Sequence, residues 1–283
     1  MIDDKRLQSI MNSLPPISPA VNKVIELANT MGTSALELSA AIKIDPVLMT
    51  KVLKLINSAY FGMRTEVTSL NRAIILLGVN TIKNLALSTA LISGFADRTA
   101  KSGLNIEELW MHSLAVAVAS KMLAKYVGVE KKYVESFFIA GLIHDIGKLL
   151  FDQYKPVKYK MLLFKIARSG GTLFKEETKL FGYNHGNLGA LLCEKWNIGD
   201  EITESIRNSH SVGDSPQSKM GAIVQTADAF VNRSPELPKL IGGNTEYNES
   251  NFLILDIDEP ALDSIFSSLS SEIESATIFI KKV

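Results

Sequence analysis

Apolar residues recur along most of the chain every three or four positions, which is the period of an α-helix with one buried face. Stretches in which apolar and polar residues alternate, as they do in a half-buried strand, are scarce. Residues whose side-chain oxygens can cap the first turn of a helix precede several apolar segments: Ser34, Asp45, Ser69 and Asn105. The pattern therefore predicts an all-α fold.

The first hundred residues are predicted to form a compact module of five short helices. These helices are expected over about 19–30, from Ser34 onward, and over about 47–57, 70–77 and 80–95. The stretch 96–105 is polar and contains glycine, which favours a joint between two domains. We therefore assign residues 1–98 to an N-terminal helical module.

Further helices are predicted after this joint, over about 105–128, 132–154, 158–169, 186–195, 200–209 and 219–232. The segment 234–250 is rich in Pro, Gly and Asn and is predicted to be a loop. Residues 251–257 are predicted to form a short strand or an extended arm, and residues 261–280 a final helix. These boundaries give a helical core over 99–235 and a C-terminal loop and helix over 236–283.

Composition narrows the class of protein. The 283 residues include 30 basic and 30 acidic side chains, and this balance argues against bulk attraction to nucleic acid or to an anionic membrane. No segment has the pattern of a signal peptide or of a membrane span. The single cysteine, Cys193, excludes an intramolecular disulfide and is expected to be a small core residue in a reducing compartment. The sequence predicts a cytoplasmic protein.

Several polar residues lie where the helical pattern requires apolar ones. His112 projects from an apolar stripe, His144 and Asp145 follow the apolar run 137–143, and Asp228 lies on the buried face of helix 219–232. Burying a carboxylate is costly unless a cation or hydrogen-bond donors compensate its charge. Imidazole and carboxylate together are typical ligands of a divalent cation. The pattern therefore predicts a metal site that three helices share.

The other two histidines, His185 and His210, lie between this pair and Asp228 and are candidate ligands of a second ion. Each candidate also has a simpler interpretation. His112 and the His144-Asp145 pair are compatible with ordinary buried hydrogen bonding, and Asp228 with an arginine partner or with capping of a neighbouring helix. His185 is compatible with a capping role at a helix start, and His210 with an imidazolium at a helix end.

The segment GLIHDIGK at 141–148 resembles the signature of the HD superfamily, whose motif is H…HD…D. The N-terminal half is similar to the HDOD family in particular. The similarity rests on LPPISP at 14–19, DP at 45–46, LINSAYFG at 55–62, AIILLG at 73–78, WMHS at 110–113 and FGYNH at 181–185. It covers roughly residues 10–232 in order.

This resemblance implies an all-α HD-like fold with a regulatory role in bacterial signalling, in a family many of whose members are expected to lack catalysis. His112, His144, Asp145 and Asp228 match the HD motif, so the resemblance implies that this chain keeps its metal ligands. Lys148 matches a lysine that contacts the scissile phosphate in the similar HD-GYP phosphodiesterases; its alternatives are a solvated charge or a partner of Asp145. The paired histidines and the Gly-Tyr-Pro element of those enzymes are absent after His210.

The sequence favours the first of three functions, and the second is its main alternative. The first is a protein-interaction scaffold in signal transduction, with an unknown signalling partner and a nucleotide or metal as a sensory or structural ligand. The second is a metal-dependent phosphohydrolase with one or two ions (Fe, Mn, Ni, Mg or Zn), in which Asp145 and Lys148 take part in catalysis. The third, a nucleic-acid adaptor, is disfavoured by the zero net charge.

Overall fold

The computed structural model describes residues 19–30, 32–61, 63–96, 100–210 and 218–277, and within these ranges all regular structure is helical. The all-α prediction is confirmed. Parts of three predictions lie outside the described residues: positions 14–18 and 62 of the family motifs, 97–99 of the joint, and 278–280 of the final helix. The N-terminal helices are α1 (Pro19–Asn29), α2 (Ala35–Lys43), α3 (Pro46–Ile56), α4 (Leu70–Leu77) and α5 (Val79–Ala96).

Local capping explains where these helices begin. Ser34 Oγ accepts a hydrogen bond from the Glu37 amide, and a Glu37 carboxylate oxygen accepts one from the Ser34 amide. Asp45 Oδ1 accepts from the first-turn amides of α3, just ahead of a proline at the first helical position. Gly78 ends α4 with a φ of +87°, a conformation that favours glycine.

The core contains α6 (Ile106–Tyr126), α7 (Val134–Ile143), α8 (Gly147–Tyr154), α9 (Pro156–Ser169), α10 (Leu173–Phe181), α11 (His185–Lys195), α12 (Asp200–Arg207) and α13 (Lys219–Arg233). Helix α6 is buried on nearly every side and packs against α7 and α13. A Cβ on Gly141 would lie 2.8 Å from the Ala117 Cα, so glycine allows α7 to approach α6 closely.

The N-terminal module packs on this core. Helix α5 contacts α7, and the short 3₁₀ turn Ala59–Phe61 contacts the C-terminal segment. The Tyr60 ring lies 5.9 Å from the Phe138 ring, and the Lys121 ammonium lies 4.5 Å above the Tyr60 ring centre. Cys193 is buried as expected, and burial raises the pKa of its thiol.

Four predictions about helix boundaries were wrong. Residues 251–257 form no strand: α14 (Glu249–Leu255) begins at the cap Asn248 and ends at Asp256, whose φ is +53°. The predicted final helix is divided into α15 (Glu259–Ile265) and α16 (Leu269–Ala276). The predicted helix 132–154 is interrupted by a turn at 144–146, and α10 lies in a segment for which no helix was predicted.

Among the described residues, no helix has the length and apolar character needed to cross a membrane.

Candidate metal centre

The structure brings all six candidate ligands to one place in the core. They come from helix α6, from the turn between α7 and α8, from the first residue of α11, from the residues after α12 and from helix α13. Each is at most 7% exposed: His112, His144, Asp145, His185, His210 and Asp228. The six side chains therefore form one buried polar cluster.

A glycine in the α7–α8 turn makes this convergence possible. A Cβ on Gly147 would lie only 1.9 Å from the His185 carbonyl oxygen, so no other residue fits there without moving α8 away from α11. The turn that interrupts the predicted long helix therefore presses Asp145 against the start of α11. Asn184 caps that start, so the capping role proposed for His185 belongs to its neighbour.

Two groups of ligands can be distinguished by distance. In the first, the Asp228 Oδ1 lies 3.0 Å from His112 Nε2 and 3.6 Å from His144 Nε2. In the second, the Asp145 Oδ1 lies 3.2 Å from His185 Nε2 and 3.5 Å from His210 Nε2. The other oxygen of Asp145 faces the first group, 3.4 Å from His144 Nε2 and 3.7 Å from His112 Nε2. Asp145 therefore lies between two potential cation positions.

Three of the histidines are held at the ring nitrogen that points away from this cluster. His112 Nδ1 lies 3.0 Å from the Pro238 carbonyl oxygen, and His144 Nδ1 lies 2.7 Å from the Gly141 carbonyl oxygen. His185 Nδ1 lies 2.6 Å from Glu177 Oε2. Because carbonyl and carboxylate oxygens only accept, each Nδ1 carries the hydrogen.

The inward nitrogens therefore need a cation. A neutral ring with its hydrogen on Nδ1 presents a bare lone pair at Nε2, and each of these lone pairs faces a carboxylate oxygen. Two acceptors at such distances are attractive only if a proton or a metal ion lies between them. Five buried atoms of the candidate ligands have no hydrogen-bond partner among the described residues and point to the same need: His144 Nε2, Asp145 Oδ1, His185 Nε2 and both ring nitrogens of His210. The residues present thus fit a divalent cation.

The electrostatics of the metal-free cluster follow from this geometry. Burial lowers the pKa of His144, but the Asp145 and Asp228 carboxylates outweigh it and raise that pKa to about 10. Burial and the nearby His185 lower the pKa of His210 to about 4, so the expectation of an imidazolium there was wrong. Burial works against ionisation of Asp145, yet His144 and Lys148 hold the pKa of that carboxyl well below its usual range.

Lys148 is buried, and its ammonium donates to Asp145 Oδ2 at 2.6 Å. Of its predicted alternatives, the solvated charge was wrong and the partner of Asp145 is confirmed. Lys148 also lines a cavity of about 380 Å³ together with residues of the 102–105 loop, of α9 and of the 240–241 loop, among them Lys160, Phe164 and Leu240. This cavity reaches the polar cluster at the lysine.

Several residues that support the cluster were not predicted from the sequence. Glu177 on α10 is fully buried and accepts hydrogen bonds from the His185 amide and from the Tyr159 hydroxyl. Asn232 donates to Asp228 Oδ1 at 2.7 Å. The buried-face position of Asn232, four residues after Asp228, is a helical signal that could have identified it. The sequence did not distinguish Glu177 as a supporting residue, because the adjacent Glu176 is also acidic.

Comparison with known proteins places the chain in a family. The chain is 26% identical to an uncharacterised protein of Treponema pallidum (strain Nichols) over 249 residues, which cover 87% of this chain and 46% of that protein. The chain thus spans less than half the length of this curated relative.

Solved structures share the fold. An HDOD domain protein of unknown function from Geobacter sulfurreducens superposes with a TM-score of 0.81 at 22% identity, covering 99% of this chain and 100% of that one. A Shewanella amazonensis SB2B protein, provisionally named a phosphohydrolase, superposes with a TM-score of 0.74 at 22% identity. The superposition covers 96% of this chain and 97% of that one. A Marinobacter aquaeolei VT8 protein, provisionally named a signal transduction protein, superposes with a TM-score of 0.73 at 18% identity. The superposition covers 98% of this chain and 65% of that one.

The HDOD domain model matches residues 14–212, well over half of the chain. The chain belongs to the HDOD domain family.

Proposed function

We propose that this HDOD protein is a divalent-metal-dependent phosphohydrolase that acts in signal transduction. One observation carries the proposal: three imidazoles, each held at Nδ1, direct their Nε2 atoms at two buried carboxylates. A purely structural polar cluster would be expected to satisfy its own hydrogen bonds, and this one leaves five ligand atoms without a partner among the described residues. Supporting acceptors behind metal-ligating histidines are a general feature of metal sites.

His112, His144 and Asp228 would hold one ion, and Asp145, His185 and His210 the other. A set this rich in imidazole favours iron, manganese, nickel or zinc over magnesium, which prefers oxygen ligands. Such ions, when bound, polarise a phosphoryl oxygen and lower the pKa of water. Glu177, Asn232 and the Pro238 carbonyl keep the ligands oriented through the hydrogen bonds described above.

The remaining residues favour a phosphate ester as substrate. Lys148 supplies a buried positive charge where the cavity meets the cluster, which is suited to the charge of a phosphoryl group. Lys160 lies at the same cavity, whose other walls include the apolar side chains Leu163, Phe164 and Leu173. We infer that the substrate carries an apolar or aromatic group attached to its phosphate, as a nucleotide does.

A second candidate function is a signalling scaffold with little or no catalysis, in which the metal is a structural or sensory ligand. It is favoured by the depth of the cluster, because no candidate ligand is more than 7% exposed. The Phe174 ring also stacks on the His210 ring, with centroids 5.3 Å apart, and covers that side of the cluster. Both candidate functions require metal, but only the phosphohydrolase is expected to turn over a substrate at an appreciable rate.

The test is elemental analysis of protein purified without chelator, followed by hydrolysis of bis(p-nitrophenyl) phosphate with added manganese. We expect about two ions per chain and measurable hydrolysis, which falls at least tenfold in Lys148→Met because the buried charge is lost. Glu107→Gln, at an exposed position of α6, is the control and should behave as wild type. Metal without hydrolysis would favour the scaffold, and absence of metal after manganese or iron reconstitution would refute both metal-dependent functions.

A further inference from the structure

Helix α9 carries two apolar stripes, whereas a surface helix ordinarily carries one. The first stripe faces the core and is buried: Tyr159, Leu162 and Ile166. The second is exposed, with Val157 at 73%, Met161 at 68% and Phe164 at 63%. These three residues are spaced by four and by three positions and therefore share one helix face. Single exposed apolar residues are common, but a contiguous stripe indicates a contact surface.

One residue of this stripe, Met161, lines a groove between α9 and α10, whereas Phe164 lines the separate cavity at Lys148. The groove has a volume of about 600 Å³ and combines apolar and charged residues: Lys158, Met161, Leu162, Lys165, Glu176, Lys179 and Leu180. Leu180 on α10 is 47% exposed and supplies an apolar wall opposite Met161. The groove is therefore a concave apolar surface between two consecutive helices, with lysines at its edges.

This region is strongly basic in a chain whose charges are balanced. Residues 155–181 contain seven basic side chains and two acidic ones, whereas the whole chain contains 30 of each. Of the two acids, Glu177 is buried beside His185, and Glu176 pairs with Lys165 at 2.5 Å and with Lys179 at 2.7 Å. The outer surface of the α9–α10 pair thus has an excess of positive charge around an apolar centre.

We propose that this groove binds an acidic amphipathic helix of a partner protein. Apolar residues of such a helix, spaced by three and four positions, would match the spacing on α9, and its acidic face would meet the lysine edges. The concave shape favours a helix over a lipid surface, and the apolar centre favours a protein over nucleic acid, whose phosphates need only the charge. The proposal does not depend on metal binding or catalysis.

The test uses a fluorescein-labelled synthetic peptide of about 18 residues, with leucines at helical spacing and glutamates on the other face. Fluorescence anisotropy with the full chain should show saturable binding that weakens as sodium chloride rises from about 0.05 to 0.3 M. We expect at least about tenfold weaker binding in Met161→Glu, and again in Lys158→Glu combined with Lys179→Glu.

Matched controls distinguish this groove from general stickiness. Leu253→Glu changes a side chain that is 84% exposed on α14, and Lys131→Glu changes an exposed lysine elsewhere; both should bind the peptide as wild type does. The proposal is overturned if a scrambled peptide of equal composition binds equally well, or if all four variants bind alike. It is also overturned if anionic phosphatidylglycerol vesicles or a DNA duplex bind and the peptide does not.

Discussion

Two aspartates seven residues apart, Asp145 and Asp152, are both buried in the core, at 1% and 0% exposure. Asp152 is saturated with donors: its Oδ1 accepts from the Ser102 amide at 2.7 Å and the Ser102 hydroxyl at 2.6 Å, and both its oxygens lie 3.0 Å from the Lys101 amide. Asp145 receives one such bond, from Lys148, while its Oδ1 faces two histidine rings without a hydrogen bond.

The difference shows that burial of a carboxylate does not by itself identify a functional site. Asp152 fastens the loop that leads from the N-terminal module into α6, and its charge is compensated by fixed donors of the chain. Asp145 leaves one oxygen that accepts no hydrogen bond from the described residues and faces two histidine nitrogens. Unsatisfied buried acceptors, rather than burial, distinguish the metal-site candidate from the structural carboxylate.

The largest expected effect is on metal content. Asp145→Asn removes the charge that lies between both cation positions, so we expect at least about a hundredfold loss of metal affinity and fewer than two bound ions. Asp152→Asn, the same chemical change at the structural carboxylate, should keep the wild-type metal content. Elemental analysis and competition with a chromophoric chelator measure both. Equal metal loss in the two variants would remove the distinction between them.

Asp152→Asn should instead lower the stability of the metal-free protein. An amide offers one acceptor oxygen where the carboxylate offers two, so donors from the 101–102 loop lose charged partners, at a cost of about 2 kcal/mol. Urea unfolding without metal measures the free energy of unfolding. Asp263→Asn, at an exposed position of α15, is the control and should be neutral. A neutral Asp152→Asn would contradict its anchoring role.

A smaller expected effect is on the pH dependence of the free energy of unfolding of the metal-free protein. His144 has an ordinary pKa of 6.5 and a folded, metal-free pKa of about 10, raised by Asp145 and Asp228 against the effect of burial. The folded protein therefore keeps a proton that the unfolded chain releases. This stabilisation is fully present below pH 6.5 and is lost as the pH rises towards 10.

For a single group the free energy of unfolding should fall by at most about 1.4 kcal/mol per pH unit between pH 7 and 9. The donors around Asp152 are amides and a hydroxyl, which do not titrate in this range. Asp152→Asn should therefore keep the pH dependence of the metal-free wild type, and His144→Gln should reduce it. An unchanged slope in His144→Gln would show that another group is responsible.

Much of the fold could be predicted from local signals. The caps at Ser34, Asp45, Ser69 and Asn105 are all observed, because a cap depends on a side chain and amides only two or three residues away. The helices after residue 248 were not predicted well. There, the cap Asp258 and the proline after it start a helix earlier than predicted, and a turn at 266–268 divides the single helix that the apolar pattern indicated.

The candidate site was predictable in its ligands but not in its support. His112 and Asp228 could be recognised because each is polar on an apolar helix face, a pattern visible within one helix. Glu177, Phe174 and the Pro238 carbonyl act on the site across 8 to 126 residues of sequence, so no local pattern marks them. Their roles depend on how α10 and the 234–248 loop pack over the core.

The sequence by itself determined the helical class, most helix starts and the identity of the six clustered side chains, because periodicity and capping are local properties of the chain. Only the tertiary structure decided that Asp145 lies between two groups of histidines while Asp152 is saturated, and that the α9–α10 face is left uncovered. Both outcomes depend on distances between segments far apart in sequence, and those distances are fixed by close packing such as that of Gly147 against α11.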